Sequence, residues 1–160
     1  MNLPNLGRML SVMDKQEIAS LVKQLDTSHF PEQHPVWEQL RPLQEHVVPY
    51  LLQAYPTTKK WQGRVALVFY SVRFARTSES AFQLGLLACK DKATLVRYRA
   101  SGLLAYSLKN EAVPHLERLL DHRDAKTVED AVAAIDAIKS QNHHYFVDRN
   151  PFGASVLASR

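Results

Sequence analysis

The phrase "LVRYRASGLLAYSLK" at residues 95–109 returns, reworded but with the same pattern, as "TVEDAVAAIDAIKSQ" at residues 127–141. Setting Val96 on Val128 also sets Ala100 on Val132, Leu103 on Ile135 and Ala105 on Ala137, with the small residues Ser101 and Gly102 opposite Ala133 and Ala134. A helix written twice at an interval of about 32 residues signals stacked helical hairpins. Between the copies, "NEAVPHLERLLDHRD" places Val113, Leu116, Leu119 and Leu120 at helical spacing. Pro114 falls in the first turn of that helix, where its missing N–H does little harm. One such hairpin cannot bury both its faces, so each unit needs a neighbour on either side, and small residues in the first helix permit the close approach.

Upstream, Ile18, Leu21, Val22 and Leu25 make the stripe of an amphipathic helix in "DKQEIASLVKQLD", with Asp14 as cap and Glu17 completing a capping box. "TSHFPEQHP" reads as a loop. Trp37, Leu40, Leu43 and Val47 are again helically spaced, and Pro42 and Pro49 split or bend that segment. "WQGRVALVFYSVRFART" opens a longer apolar helix with Val65, Val68, Phe69 and Val72 facing inward. Ser78 caps its successor "ESAFQLGLLACKD", which packs Phe82, Leu86 and Cys89 on one side, and Asp91 caps the next helix, beginning near Ala93. The last stretch, "NHHYFVDRNPFGASVLASR", abandons helical spacing. Its aromatics Tyr145, Phe146 and Phe152 argue for docking, since a free tail would hold them in water.

From Trp61 to Gln141 the wording resembles HEAT-like repeats, in particular the short type first associated with phycobilisome lyases. The likeness rests on the Val96–Arg97 start, the small-residue middle, the second helix "NEAVPHLERLL" and the Asp-containing turns, with residues 61–91 as a more divergent copy. It implies an all-α fold, a right-handed α-α superhelix in the form of a short solenoid. Residues 1–58 would be a helical N-terminal cap, 59–141 the hairpins and 142–160 an irregular C-terminal tail, within a single domain. Glu129 stands where the arginine of the next unit is expected, which interrupts a continuous arginine ladder.

Few functional classes carry a motif. The chain holds no Walker loop, dinucleotide fingerprint, Gly-x-Ser-x-Gly elbow or His-Glu-x-x-His helix. His143 and His144 are adjacent and would diverge by about 100° on a helix, so they read as solvated or hydrogen-bonded histidines rather than metal ligands. His115 and His122, seven apart with Asp121 and Asp124 nearby, lack a nucleophile or oxyanion donor beside them and read as capping or surface groups. Cys89 lies in an apolar run that would raise its pKa and hide it. The expectation is a non-enzyme with no metal and no cofactor. Charges at Asp14, Lys15 and Glu17 break any signal-peptide core, and with one cysteine the chain reads as cytoplasmic.

The strongest functional feature is the distribution of charge. Residues 59–109 carry ten Lys/Arg against two acids, whereas residues 110–138 carry seven acids against three bases. Arg97 is expected to bridge to Asp91 or Asp124 and hold hairpins in register. Arg73, Arg76, Lys90, Lys92 and Arg99 flank successive turns and are the candidate partner-binding residues, forming one patch for an acidic protein. The function expected is a protein-binding module, an adaptor or a small inhibitory or immunity-type protein. Two alternatives stand beside it: a nucleic-acid-binding HEAT-like protein, and a lyase-type chaperone for a cofactor-bearing client.

Overall fold

The apolar stripes read from the sequence fold into nine α-helices among residues 13–149, which are the residues described by the computed structural model; among them there is no strand. They are α1 Lys15–Lys23, α2 Phe30–Leu40, α3 Val48–Ala54, α4 Trp61–Ser71, α5 Glu79–Ala88, α6 Thr94–Ser107, α7 Val113–Glu117, α8 Ala125–Lys139 and α9 His144–Val147. The chain is therefore all-α. In the repeated half α4, α6 and α8 pack side by side in chain order, while α5 lies against both α4 and α6 and α7 lies against α8. A single hydrophobic cluster runs from Ile18 to Phe146.

Local chemistry explains the helix boundaries. Asp14 Oδ1 accepts the Glu17 N–H at 2.8 Å and Ser78 Oγ accepts the Ala81 N–H at 3.1 Å, which caps α1 and α5. Regular α-helix ends after Leu40 at Pro42, a 3₁₀ stretch with Gln44 at φ 52° joins α2 to α3, and Pro49 falls in the first turn of α3. Three expectations are corrected. Phe30–Pro35 is not loop: Pro31 sits in the first turn of α2, where proline is tolerated, and the helix continues through Pro35. Phe69 does not face inward but is 48% exposed, because Val65, Leu67 and Val68 fill the buried side of α4. The tail is not wholly irregular, since His144–Val147 form α9.

Beside the interval of about 32 residues read from the apolar positions, two buried ion pairs recur 33 residues apart. Arg64 pairs with Asp91 through Nε at 2.7 Å and a second nitrogen at 3.1 Å, and its remaining terminal nitrogen donates to the Lys59 carbonyl at 2.7 Å. Thirty-three residues on, Arg97 donates to the Asp91 carbonyl at 2.8 Å, to Thr127 Oγ1 at 2.9 Å and to Asp124 at 3.1 Å. Each arginine thus binds the backbone of the turn before its own helix and the carboxylate of the next turn at the same end, two helices further on. Arg97 meets both residues expected of it, Asp91 through the backbone.

At the third rung the polarity reverses. The residue in register is Asp130, 1% exposed, rather than Glu129, which lies on the surface. Its carboxylate is met by Arg149 from beyond α9 and by Lys126 at 3.4 Å. Arg149 also lies 4.3 Å over the Phe146 ring, and Phe146 seats on Gly102, where a Cβ would stand 3.1 Å from the ring. The described part of the tail, residues 142–149, therefore docks through Phe146, while Tyr145 remains half exposed. Phe152 lies outside the described residues.

The second rung makes a pH prediction. Hydrogen bonds from the Thr127 hydroxyl and Arg97 hold the Asp124 carboxyl at about 2, below its ordinary 3.8. A carboxyl depressed by folding contributes stability that is complete above its ordinary pKa and is lost as pH falls through the folded value. Asp124→Asn is therefore expected to flatten the fall in thermal midpoint between about pH 4 and about pH 2. Equal falls in the variant and the wild type would show that Asp124 plays no part in acid sensitivity.

Candidate binding groove

The turns of an antiparallel hairpin alternate between the two ends of a helical stack, and this decides how the five candidate basic residues are distributed. Arg73 and Arg76 follow α4, at the end of the stack away from Arg64. Lys90 and Lys92 flank Asp91, which is bound to Arg64 near the start of α4. The two pairs are separated by on the order of 13 Å of helix axis. The expected single patch is corrected accordingly: Arg73, Arg76 and Arg99 share one face, and Lys90 and Lys92 lie at the other end.

Arg73 and Arg76 line a groove of about 840 Å³. One wall is α2 and its C-cap, through His34, Trp37, Glu38 and Arg41, which recur at i, i+3, i+4 and i+7 and so share a helix face. The floor is the exposed end of α4, with Phe69 and Tyr70, and the far wall is Tyr106 of α6 and His143 before α9. Arg99 lies 4.9 Å over the Phe69 ring and lines an adjoining depression of about 220 Å³ that shares Phe69, Val72 and Tyr106 with the groove.

The rings around the groove are mutually committed. Trp37 stacks on Tyr70 with centroids 4.2 Å apart and planes 8° apart, and Tyr106 stacks on His143 at 4.6 Å. Burial and the nearby Glu38 carboxylate push the Tyr70 phenol up. Arg76 is anchored before any ligand arrives, its Nε donating to the Tyr106 carbonyl at 2.9 Å and a terminal nitrogen meeting His143 Nδ1 at 2.9 Å. Arg41 pairs with Glu38 at 3.1 Å across an exposed helix turn. Arg73 is exposed and makes no hydrogen bond or ion pair among the described residues. The groove thus presents three guanidinium groups against one carboxylate, with apolar Phe69 and Val72 between them.

The other singled-out groups take structural places. Cys89 is fully buried and burial pushes its thiol up to about 11. His122 lies outside α7, and its Nδ1 accepts the Asp124 N–H at 3.0 Å. His115 is held below the ordinary histidine range by burial, with Arg118 and Lys90 adding to the effect. His144 pairs with Asp148 at 2.6 Å. Among the described residues no three His, Cys, Asp or Glu side chains gather as a metal site, and no helix is long and apolar enough to cross a membrane.

Sequence reasoning missed Trp37 as a groove residue because it reads as part of a core stripe, and it singles out none of Arg41, Tyr70 and Tyr106. The face His34–Trp37–Glu38–Arg41 carried the signal, since a core stripe does not alternate aromatic with charge. Compared with known proteins, the sequence matches no family model and no curated protein.

Proposed function

We propose that the chain is a non-enzymatic protein-binding module, an adaptor or small inhibitory protein, that holds an acidic partner on the face of Arg73, Arg76 and Arg99. The observation that carries this reading is the groove with its adjoining depression: Arg73 and Arg76 line the groove, Arg76 preoriented and Arg73 without a partner among the described residues, and Arg99 lines the depression beside half-exposed apolar surface. Guanidinium groups of this kind pair with carboxylates at low entropic cost and steer the encounter from a distance. The finer architecture belongs to the same reading: a short right-handed superhelix of HEAT-like hairpins, supported by the 33-residue spacing of Arg64–Asp91 and Arg97–Asp124. Such a scaffold offers a rigid surface.

The test is capture of a partner from the lysate of the source cell by wild type, by the Arg73→Glu/Arg76→Glu/Arg99→Glu variant and by a Lys90→Glu/Lys92→Glu variant. Wild type and the lysine variant are expected to retain the same protein and the arginine variant to lose it. Retention by all three removes this face from the function.

A further inference from the structure

The groove's shape and chemistry say more about what enters it. Resting on the reading above, we propose that its occupant is an extended acidic segment of the partner, with carboxylates on Arg73 and Arg76 and an apolar side chain against Phe69 and Val72, and that His143 takes up a proton as the segment seats.

The choice of a peptide over a nucleic acid follows from the rings and the charges. Base recognition on a single strand uses aromatic faces that stand free as stacking platforms. Here Trp37 and Tyr70 cover one another, His143 covers Tyr106, and Arg99 lies over Phe69. Phosphate tracking needs basic contacts continued along one face, whereas Lys90 and Lys92 stand at the other end of the stack and Glu38 interrupts the groove wall. A few carboxylates among apolar residues satisfy what is present, and recognition of acidic motifs by arginine clusters is a recurrent binding mode.

The proton follows from the Arg76–His143 contact. Nδ1 of His143 faces a guanidinium at 2.9 Å and must act as acceptor, so the ring is neutral in the empty groove. Its surroundings agree: burial, His144 and Arg76 hold it below the ordinary histidine range, and Asp148 opposes them only in part. The remaining groups nearby are Tyr106 from α6, His34 and Glu38 from α2, and Arg41 and Arg73 along the groove. A carboxylate arriving at Arg76 neutralises the positive charge that discourages protonation; the proton goes onto Nδ1, the Arg76–His143 hydrogen bond breaks, and the carboxylate accepts from both Nδ1–H and the freed guanidinium nitrogen. The pKa of His143 therefore rises on binding, and affinity strengthens as pH falls.

The experiment is fluorescence anisotropy with a short labelled peptide of glutamates around one leucine, beside a labelled single-stranded oligodeoxynucleotide. The peptide is expected to bind wild type and the Lys90→Glu/Lys92→Glu variant alike, and to lose at least about tenfold in affinity on Arg73→Glu, a change that breaks no bond in the empty groove. From about pH 8 to about pH 6, wild-type affinity is expected to rise by up to about tenfold for each unit gained in the His143 pKa. His143→Gln, whose amide can still accept from Arg76, is expected to bind with no such rise. Three results overturn the proposal: no peptide binding, an oligonucleotide bound more tightly than the peptide, or a pH dependence unchanged in His143→Gln. If the peptide fails while a captured partner is still lost on arginine reversal, the segment is wrong and the basic face stands. If both fail, both fall.

Discussion

Asp91→Ala is expected to destabilise the protein by about 3–5 kcal/mol, because it strands a buried arginine. The side chains of Arg64 and Asp91 are only 8% and 4% exposed, and their two-pronged contact is complete within 3.1 Å. The carboxylate also accepts from the Tyr55 hydroxyl and from the Ala93 N–H at 2.9 Å, so four donors lose their acceptor at once. Burial alone would raise the Asp91 carboxyl, yet the hydrogen bonds from Arg64, Tyr55 and Ala93 outweigh it and the net direction is down. The aspartate is thus held as an anion in the folded chain. Urea unfolding measures the effect directly, and a loss below about 1 kcal/mol would mean that the rung is solvated. Replacing both partners, Arg64→Met with Asp91→Leu, is expected to cost less than the single change, since removing the whole buried pair leaves no uncompensated charge.

Phe146→Ala should rank second, at about 3 kcal/mol for a buried aromatic ring. Phe146 is 6% exposed, lies 6.0 Å from Tyr98 in a stacked arrangement and supports Arg149 on its other contacts. Its effect differs in kind from that of Asp91, because α9, the last helix among the described residues, packs chiefly on α8 and α6. A short helix with few packing neighbours can undock while the rest stays folded, which limits the global loss. Hydrogen exchange is therefore the informative measurement: amides of α9 should lose protection while those of α4 and α5 keep theirs. A uniform loss across all helices would make the tail part of the global folding unit rather than a closing element.

The stack was legible in the sequence because its physical cause is periodic. Small residues at Ala100, Ser101 and Gly102, and again at Ala131, Ala133 and Ala134, are needed wherever helices approach closely, and buried stripes recur with them. The apolar positions give an interval of about 32 while the buried ion pairs are spaced by 33, because apolar positions on a helix tolerate a shift to a neighbour, whereas buried ions such as Arg97 and Asp130 do not. Asp130 was passed over for the same reason: an acid beside Glu129 looks like surface until Arg149, nineteen residues further on, is seen to meet it. Among the candidate binding residues, Arg73, Arg76 and Arg99 were placed together by charge alone. Charge alone also groups Lys90 and Lys92 with them, whereas the structure places those two beside Asp91 near the start of α4, since proximity along the chain does not say which end of an antiparallel hairpin a turn occupies.

Two tryptophans mark the two ends of the stack, Trp37 in the groove wall and Trp61 at the start of α4. The most direct test of the claim that an acidic partner engages the arginine end is to follow both indole N–H resonances while an acidic peptide is added. The Trp37 signal should move in a saturable way while that of Trp61 stays in place. Movement of Trp61 with Trp37 unchanged would contradict the account.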